Sequence, residues 1–155
     1  MKLMDFLSKK SIVSEIKSSK KEDVLKELVD LLINAGELEK SCRSKVIDSL
    51  LERESLGSTA IGQGIAIPHA KTDCVSKLVG AFALSKKGVD FDSLDGEPVY
   101  IFFLLLAAQD SAGPHLKALA RISRLFKDKY FRDNLRNCAD DKDIIKVITQ
   151  EDEKV

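Results

Sequence analysis

Only two histidines occur in the 155 residues, His69 and His115, and imidazole is the side chain best suited to group transfer near neutral pH. Both fall outside the regular apolar stripes of the segments around them. By default a lone histidine is a loop or core imidazole satisfied by a backbone carbonyl. The neighbouring residues add chemistry to that default. Pro68 fixes the backbone just ahead of His69, and Gly62 and Gly64 permit close approach of main chain or ligand. A rigid, exposed imidazole in that place is a candidate nucleophile. His115 follows Gly113-Pro114, where a helical pattern begins, so its ring meets free backbone N–H groups and the positive end of a helix dipole. Such a place favours an anion and disfavours protonation of the ring. Arg53, near the end of another helical pattern, adds a planar donor fork suited to phosphate oxygens. Taken alone it would be a solvent-facing helix-end arginine. Ser58 and Thr59 are candidate donors to a phosphate, and beside Gly57 they are equally ordinary turn residues. Together the two imidazoles could share one phosphoryl group.

Other chemistries have less support. Gly62-Gln63-Gly64 lacks the G-K-[ST] ending of a P-loop and the third glycine of a dinucleotide fingerprint. The two histidines and Cys42, Cys74 and Cys138 meet no zinc-ligand spacing, and no cysteine sits in a nucleophile context that would suit a Cys-His hydrolase. The three cysteines read as reduced structural or surface thiols. Twenty-five basic side chains balance 25 acidic ones, which leaves no net field to draw in nucleic acid or an acidic membrane. The first residues carry Asp5 and lack the continuous apolar segment of a secretory signal. The longest apolar run, Val99 to Ala108, is about half of what a membrane-spanning helix needs. These features predict a cytoplasmic chain with no membrane insertion.

The elements that must position the candidate residues follow from periodicity. Ser19-Lys20-Lys21-Glu22 has the form of a capping box, and Val24, Leu25, Leu28, Val29, Leu31 and Leu32 follow at helical spacing until Gly36. A second helix is predicted from about Ser44, with Val46, Ile47, Leu50 and Leu51 on one face and Arg53 near its end. Ile65-Ala66-Ile67 reads as a short strand ended by Pro68, which presents His69 at a strand-to-loop junction. Leu78 to Leu84 and Val99 to Ala108 are continuous apolar runs, as expected of strands covered on both faces, with room for a short strand around Val89 to Phe91. Helical spacing returns after Pro114 and again around Lys129 to Asn137 and Asp141 to Thr149. The order argues for one domain over 1–155, core 3–150, with 151–155 frayed: an α/β or α+β sandwich around one mixed sheet.

The stretch Arg53-Glu54-Ser55-Leu56-Gly57-Ser58-Thr59-Ala60-Ile61-Gly62-Gln63-Gly64-Ile65-Ala66-Ile67-Pro68-His69-Ala70-Lys71 closely resembles the active-site signature of the fructose/mannitol class of EIIA domains of the bacterial phosphotransferase system. The resemblance runs on through Phe91-Asp92-Ser93-Leu94-Asp95-Gly96-Glu97-Pro98-Val99 and Asp110 to Leu116, and so covers nearly the whole chain. It implies an α/β fold with a central mixed sheet flanked by helices on both faces, and His69, His115 and Arg53 close together. It implies that His69 is the phosphorylated residue, through its far ring nitrogen. The donor would be phosphorylated HPr or its nitrogen-type paralogue, and the acceptor an EIIB cysteine or a regulated protein. No metal or organic cofactor is required. Two branches share the signature, carriers that feed a sugar permease and nitrogen-type regulators.

Overall fold

The computed structural model describes residues 1–154. Among these, six strands are β1 (Leu7–Val13), β2 (Ala60–Gly62), β3 (Ile65–Ala66), β4 (His69–Thr72), β5 (Val79–Val89) and β6 (Val99–Ala108). The helices are α1 (Lys21–Asn34), α2 (Arg43–Ser55), α3 (Ala112–Phe126), α4 (Lys129–Arg136) and α5 (Asp141–Asp152), with 3-10 turns at Leu3–Asp5 and Lys40–Cys42. The strands form one mixed sheet in the order β1-β5-β6-β3-β2, with β4 also paired to β6. β1 runs parallel to β5, β5 antiparallel to β6, and β3 and β4 parallel to β6.

The unbroken apolar run of β6 is explained by its place at the sheet centre, where both faces are covered. Phe102, Leu104 and Leu106 point to one face and pack with Val24, Leu25 and Leu28 of α1 and Val46 and Leu50 of α2. Ile101, Phe103 and Leu105 point to the other and meet Ala118 and Ile122 of α3, Phe131 of α4 and Ile144 of α5. Burial of one such leucine contributes about 2 kcal/mol. Among the described residues no helix is long and apolar enough to cross a membrane.

Several local expectations change. The predicted capping box at Ser19 does not form, because the chain enters α1 extended: Lys20 is the cap residue and bridges in parallel fashion to Asp90. The approach is held instead by Glu27, whose carboxylate accepts the Lys17 N–H at 2.9 Å and the Ser18 hydroxyl at 2.7 Å. The other end is as predicted. Gly36, at φ 77°, lets its N–H reach the Ile33 carbonyl and the Glu37 N–H reach Leu32, a Schellman close. The short strand expected near Val89 is the far end of β5, which reaches Val89 across a register shift after Leu84. The cysteines differ too: Cys42 and Cys74 form a disulfide, their Cα atoms 6.2 Å apart, while Cys138 is free and buried. Spacing could not show this pairing, because it depends on α2 packing against β4.

The C-terminal end is not frayed at 151–154, and α5 runs to Asp152. The Asp152 carboxylate is 4 % exposed and accepts the N–H groups of Leu3 (2.9 Å) and Met4 (3.0 Å) and a guanidinium N–H of Arg121 (3.2 Å). One acidic side chain thus ties the first turn of the chain to its last helix, which apolar periodicity does not reveal. Val155, assigned to the same tail, lies outside the described residues. Asp152→Ala would strand buried donors and an arginine, so it should lower the unfolding free energy by about 3 kcal/mol, read as a lower urea midpoint at unchanged slope.

Candidate functional site

β3 and β4 run along β6 in a single register, Ile65 beside Ile101 and His69 beside Leu105, with a break at Pro68 between them. Proline has no N–H to give a ladder, but its carbonyl still accepts from Leu105 at 2.9 Å. His69 therefore opens a strand instead of leaving one, contrary to the junction expected from sequence. Ile67 faces away from β6, with its N–H donating to the Thr59 carbonyl, and its own carbonyl accepts from the Nδ1 of His69 at 2.8 Å. A carbonyl can only accept, so Nδ1 carries the proton and Nε2 is the bare nitrogen of the neutral ring.

β6 ends at Ala108, and α3 begins four residues later, bringing His115 back against His69. The ring centroids are 5.5 Å apart, at 73°. His115 is 6 % exposed and belongs to the buried stripe of α3 with Ala118, Ile122, Leu125 and Phe126, not outside it as the sequence pattern implies. Its Nε2 has no hydrogen-bond partner. Arg53, in the last turn of α2, donates to the Gly57 carbonyl at 2.8 Å through one Nη. All three side chains line one depression of about 440 Å³, together with Leu56, Lys71 and Gln109 among others.

Both imidazoles are biased towards the neutral form. Burial pushes His69 below its ordinary value, the Ile67 hydrogen bond opposes this, and Arg53 lowers it while Glu54 raises it. Burial also lowers His115, with further lowering from His69 and Lys71. Glu54 itself is buried: its carboxylate accepts from the Thr59 backbone N–H and hydroxyl and pairs with Lys21 at 3.0 Å. The negative neighbour of Arg53 is thus spent on other partners.

Ser58 and Thr59 are not brought to the depression. The Ser58 hydroxyl donates to the Phe91 carbonyl at 2.6 Å, and the Thr59 hydroxyl is committed to Glu54. They fix the turn between α2 and β2. Gly62 and Gly64 likewise serve the chain: Gln63 and Gly64, at φ 60° and 79°, make the two-residue hairpin between β2 and β3. Lys71 does carry a signal in the sequence, because strand alternation places it on the same face as His69. Gln109, just past the end of β6, carries no comparable signal. Leu56, 81 % exposed, is the large apolar side chain lining the depression.

The sheet and its two helical layers are those of the IIA proteins of the phosphotransferase system. Residues 5–151 match the family described as phosphoenolpyruvate-dependent sugar phosphotransferase system, EIIA 2, and the chain belongs to it. It is 40% identical over 148 residues to a nitrogen regulatory protein of Bradyrhizobium diazoefficiens, covering 96% of this chain and 95% of that one. It is 41% identical over 152 residues to the fructose-specific EIIABC component of Bacillus subtilis, covering 98% of this chain but spanning only 24% of that protein. The crystal structure of nitrogen regulatory protein IIA-Ntr from Neisseria meningitidis superposes with a TM-score of 0.84 at 31% identity, over 93% of this chain and 97% of that one. Mannitol IIA from Escherichia coli, at 20% identity, covers 90% of this chain and 96% of its own and shares the fold with a TM-score of 0.75.

The electrostatics can be read directly. In an NMR pH titration, His69 should protonate below the ordinary histidine value. Arg53→Ala removes a like charge and should move that titration upwards, whereas Glu54→Gln removes an opposite charge and should move it downwards.

Proposed function

We propose that the chain carries a phosphoryl group on Nε2 of His69 and passes it between protein partners. The observation that carries this reading is the bond from His69 Nδ1 to the Ile67 carbonyl, which leaves Nε2 bare in a depression shared with His115 and Arg53. In the first half-reaction the Nε2 lone pair attacks the phosphorus of a donor phosphohistidine. The donor's N–P bond breaks and its electron pair returns to the donor ring. In the second, the acceptor attacks the same phosphorus and Nε2 recovers its lone pair. Neither step needs a metal or an organic cofactor. Such transfer depends on in-line placement and on balancing charge on the equatorial oxygens. Arg53 supplies positive charge, and His115 Nε2, lacking any partner, meets a phosphoryl oxygen. Ser58 and Thr59, with hydroxyls engaged elsewhere, support the site through the backbone turn and not by contact.

The donor is phosphorylated HPr or its nitrogen-type paralogue, and the protein acts in the cytoplasm as one phosphocarrier domain. For the acceptor, a complex of Escherichia coli mannitol IIA with phosphorylated IIB supports an EIIB partner. A second reading has its own observation. A nitrogen regulatory protein is matched over 95% of its own length, whereas the fructose-specific EIIABC component is matched over 24% of its own, which favours a regulator whose phosphorylation state controls a protein partner. Incubation with phosphoenolpyruvate, enzyme I and either donor separates the two branches by donor preference. Intact-mass spectrometry at neutral to alkaline pH should show one acid-labile phosphoryl adduct. His69→Ala should show none, and an adduct persisting in that variant would refute the assignment. Arg53→Ala and His115→Asn should slow transfer roughly 10²-fold or more.

A further inference from the structure

The disulfide lies apart from the imidazoles yet encloses the segment that carries one of them. Cys42 immediately precedes α2, and Cys74 lies two residues beyond the end of β4. The covalent loop between them contains α2, β2, β3 and β4, and with them Arg53, Glu54 and His69. The Cα separation of 6.2 Å is one at which a bridge closes without backbone movement. Both sulfurs rest against the core on the α1 and α2 face. Cys74 also lines an open cavity of about 470 Å³ with Glu37, Lys40 and Lys77 among its walls, whereas Cys42 does not. Cys74 is therefore the sulfur within reach of a small molecule. Another tie at this junction is the exposed ion pair of Lys45 with Asp73, at 2.5 Å, which water weakens.

We propose that Cys42 and Cys74 are a thiol–disulfide exchange site, with low-molecular-weight disulfides as oxidant and dithiols as reductant, whose closed form locks the segment bearing Arg53 and His69. The Cys74 thiolate attacks one sulfur of the external disulfide and releases one external thiolate, leaving a mixed disulfide. The Cys42 thiolate then attacks the Cys74 sulfur and expels the second external thiolate. Two protein thiols have lost two protons and two electrons, and the external disulfide has become two thiols. A dithiol reverses both steps. Closure removes conformational freedom from the denatured chain and restrains both ends of the α2-to-β4 segment. The link to phosphoryl transfer rests on the phosphocarrier reading; the exchange chemistry does not.

The test uses the full chain. After equilibration with oxidised glutathione, denaturation and alkylation with iodoacetamide, it should gain one alkyl group, on Cys138, against three for protein reduced with dithiothreitol. The oxidised form should melt roughly 10 °C above the reduced form, a difference absent from the Cys42→Ser/Cys74→Ser protein. The imidazole NMR signals of His69 should shift between the oxidised and reduced forms and stay fixed in the double variant. Three alkyl groups after oxidation, or a stable glutathione adduct on Cys74, would overturn the exchange site. A bridge that forms while the melting temperature and the His69 signals stay put would overturn the lock. Neither readout involves phosphoryl transfer, so failure of the carrier reading would show separately.

Discussion

One hydrogen bond, from His69 Nδ1 to the carbonyl of Ile67, decides what this surface can do. It selects the tautomer, and the tautomer selects the nitrogen that holds a free lone pair. The bond exists because the sheet leaves the Ile67 carbonyl unused. Ile67 faces the β2 side of the strand and not β6: its N–H donates to the Thr59 carbonyl, the Thr59 N–H goes to Glu54, and the Ile67 carbonyl is left for a side chain while Pro68 keeps the register on β6 with its own carbonyl. Pro68 thus holds the residue that follows it in register beside Leu105. The central position of β6, buried on both faces, makes that sheet stiff enough for the geometry to be fixed before any partner arrives.

Charge follows the same logic. A nucleophilic imidazole must be neutral when it attacks, and a phosphorylated one must be surrounded by positive charge. Burial meets the first need for both rings, since it penalises the protonated form. The second need would be spoiled by the carboxylate next to Arg53 if it were free to pair with the guanidinium. Glu54 instead faces Thr59 and Lys21, so its charge is neutralised inside the fold and the Arg53 guanidinium stays directed at the depression. The unpartnered Nε2 of His115 makes sense in the same terms: a buried polar atom without a partner costs free energy, and a phosphoryl oxygen would relieve that cost.

The parts of this arrangement legible in the sequence are those written in local patterns. Apolar runs marked the doubly covered strands, helical spacing located the helices, and Gly36 marked the end of α1 through the backbone conformation it alone adopts readily. Arg53, His69 and His115 were picked out by residue type and position, and the fold gathers them at one depression. What sequence missed depends on contacts between distant segments. Asp152 reads as a tail residue until its carboxylate is seen against Leu3 and Met4. Cys42 and Cys74 read as unrelated thiols until α2 lies on β4. Ser19 looks like a cap until Lys20 pairs with Asp90 and holds the entry to α1 extended. Ser58 and Thr59 show the reverse error: residue types that suit a phosphate are claimed by Phe91 and Glu54.

A fixed site of this kind leaves little for the partner to reorganise. The depression is open, and exposed Leu56 lines it while exposed Leu116 follows His115 in the chain. Two exposed leucines offer some apolar area for contact, far short of what a permanent interface needs. A phosphoryl carrier has to release each partner after every transfer, so weak docking beside a rigid acceptor atom suits that task. On the proposed reading, in-line placement of donor and acceptor would come from the preformed geometry of His69, His115 and Arg53 and not from tight binding. The cost of holding those groups in place is met in folding, by the two-sided core and the tied ends of the chain, before the reaction begins.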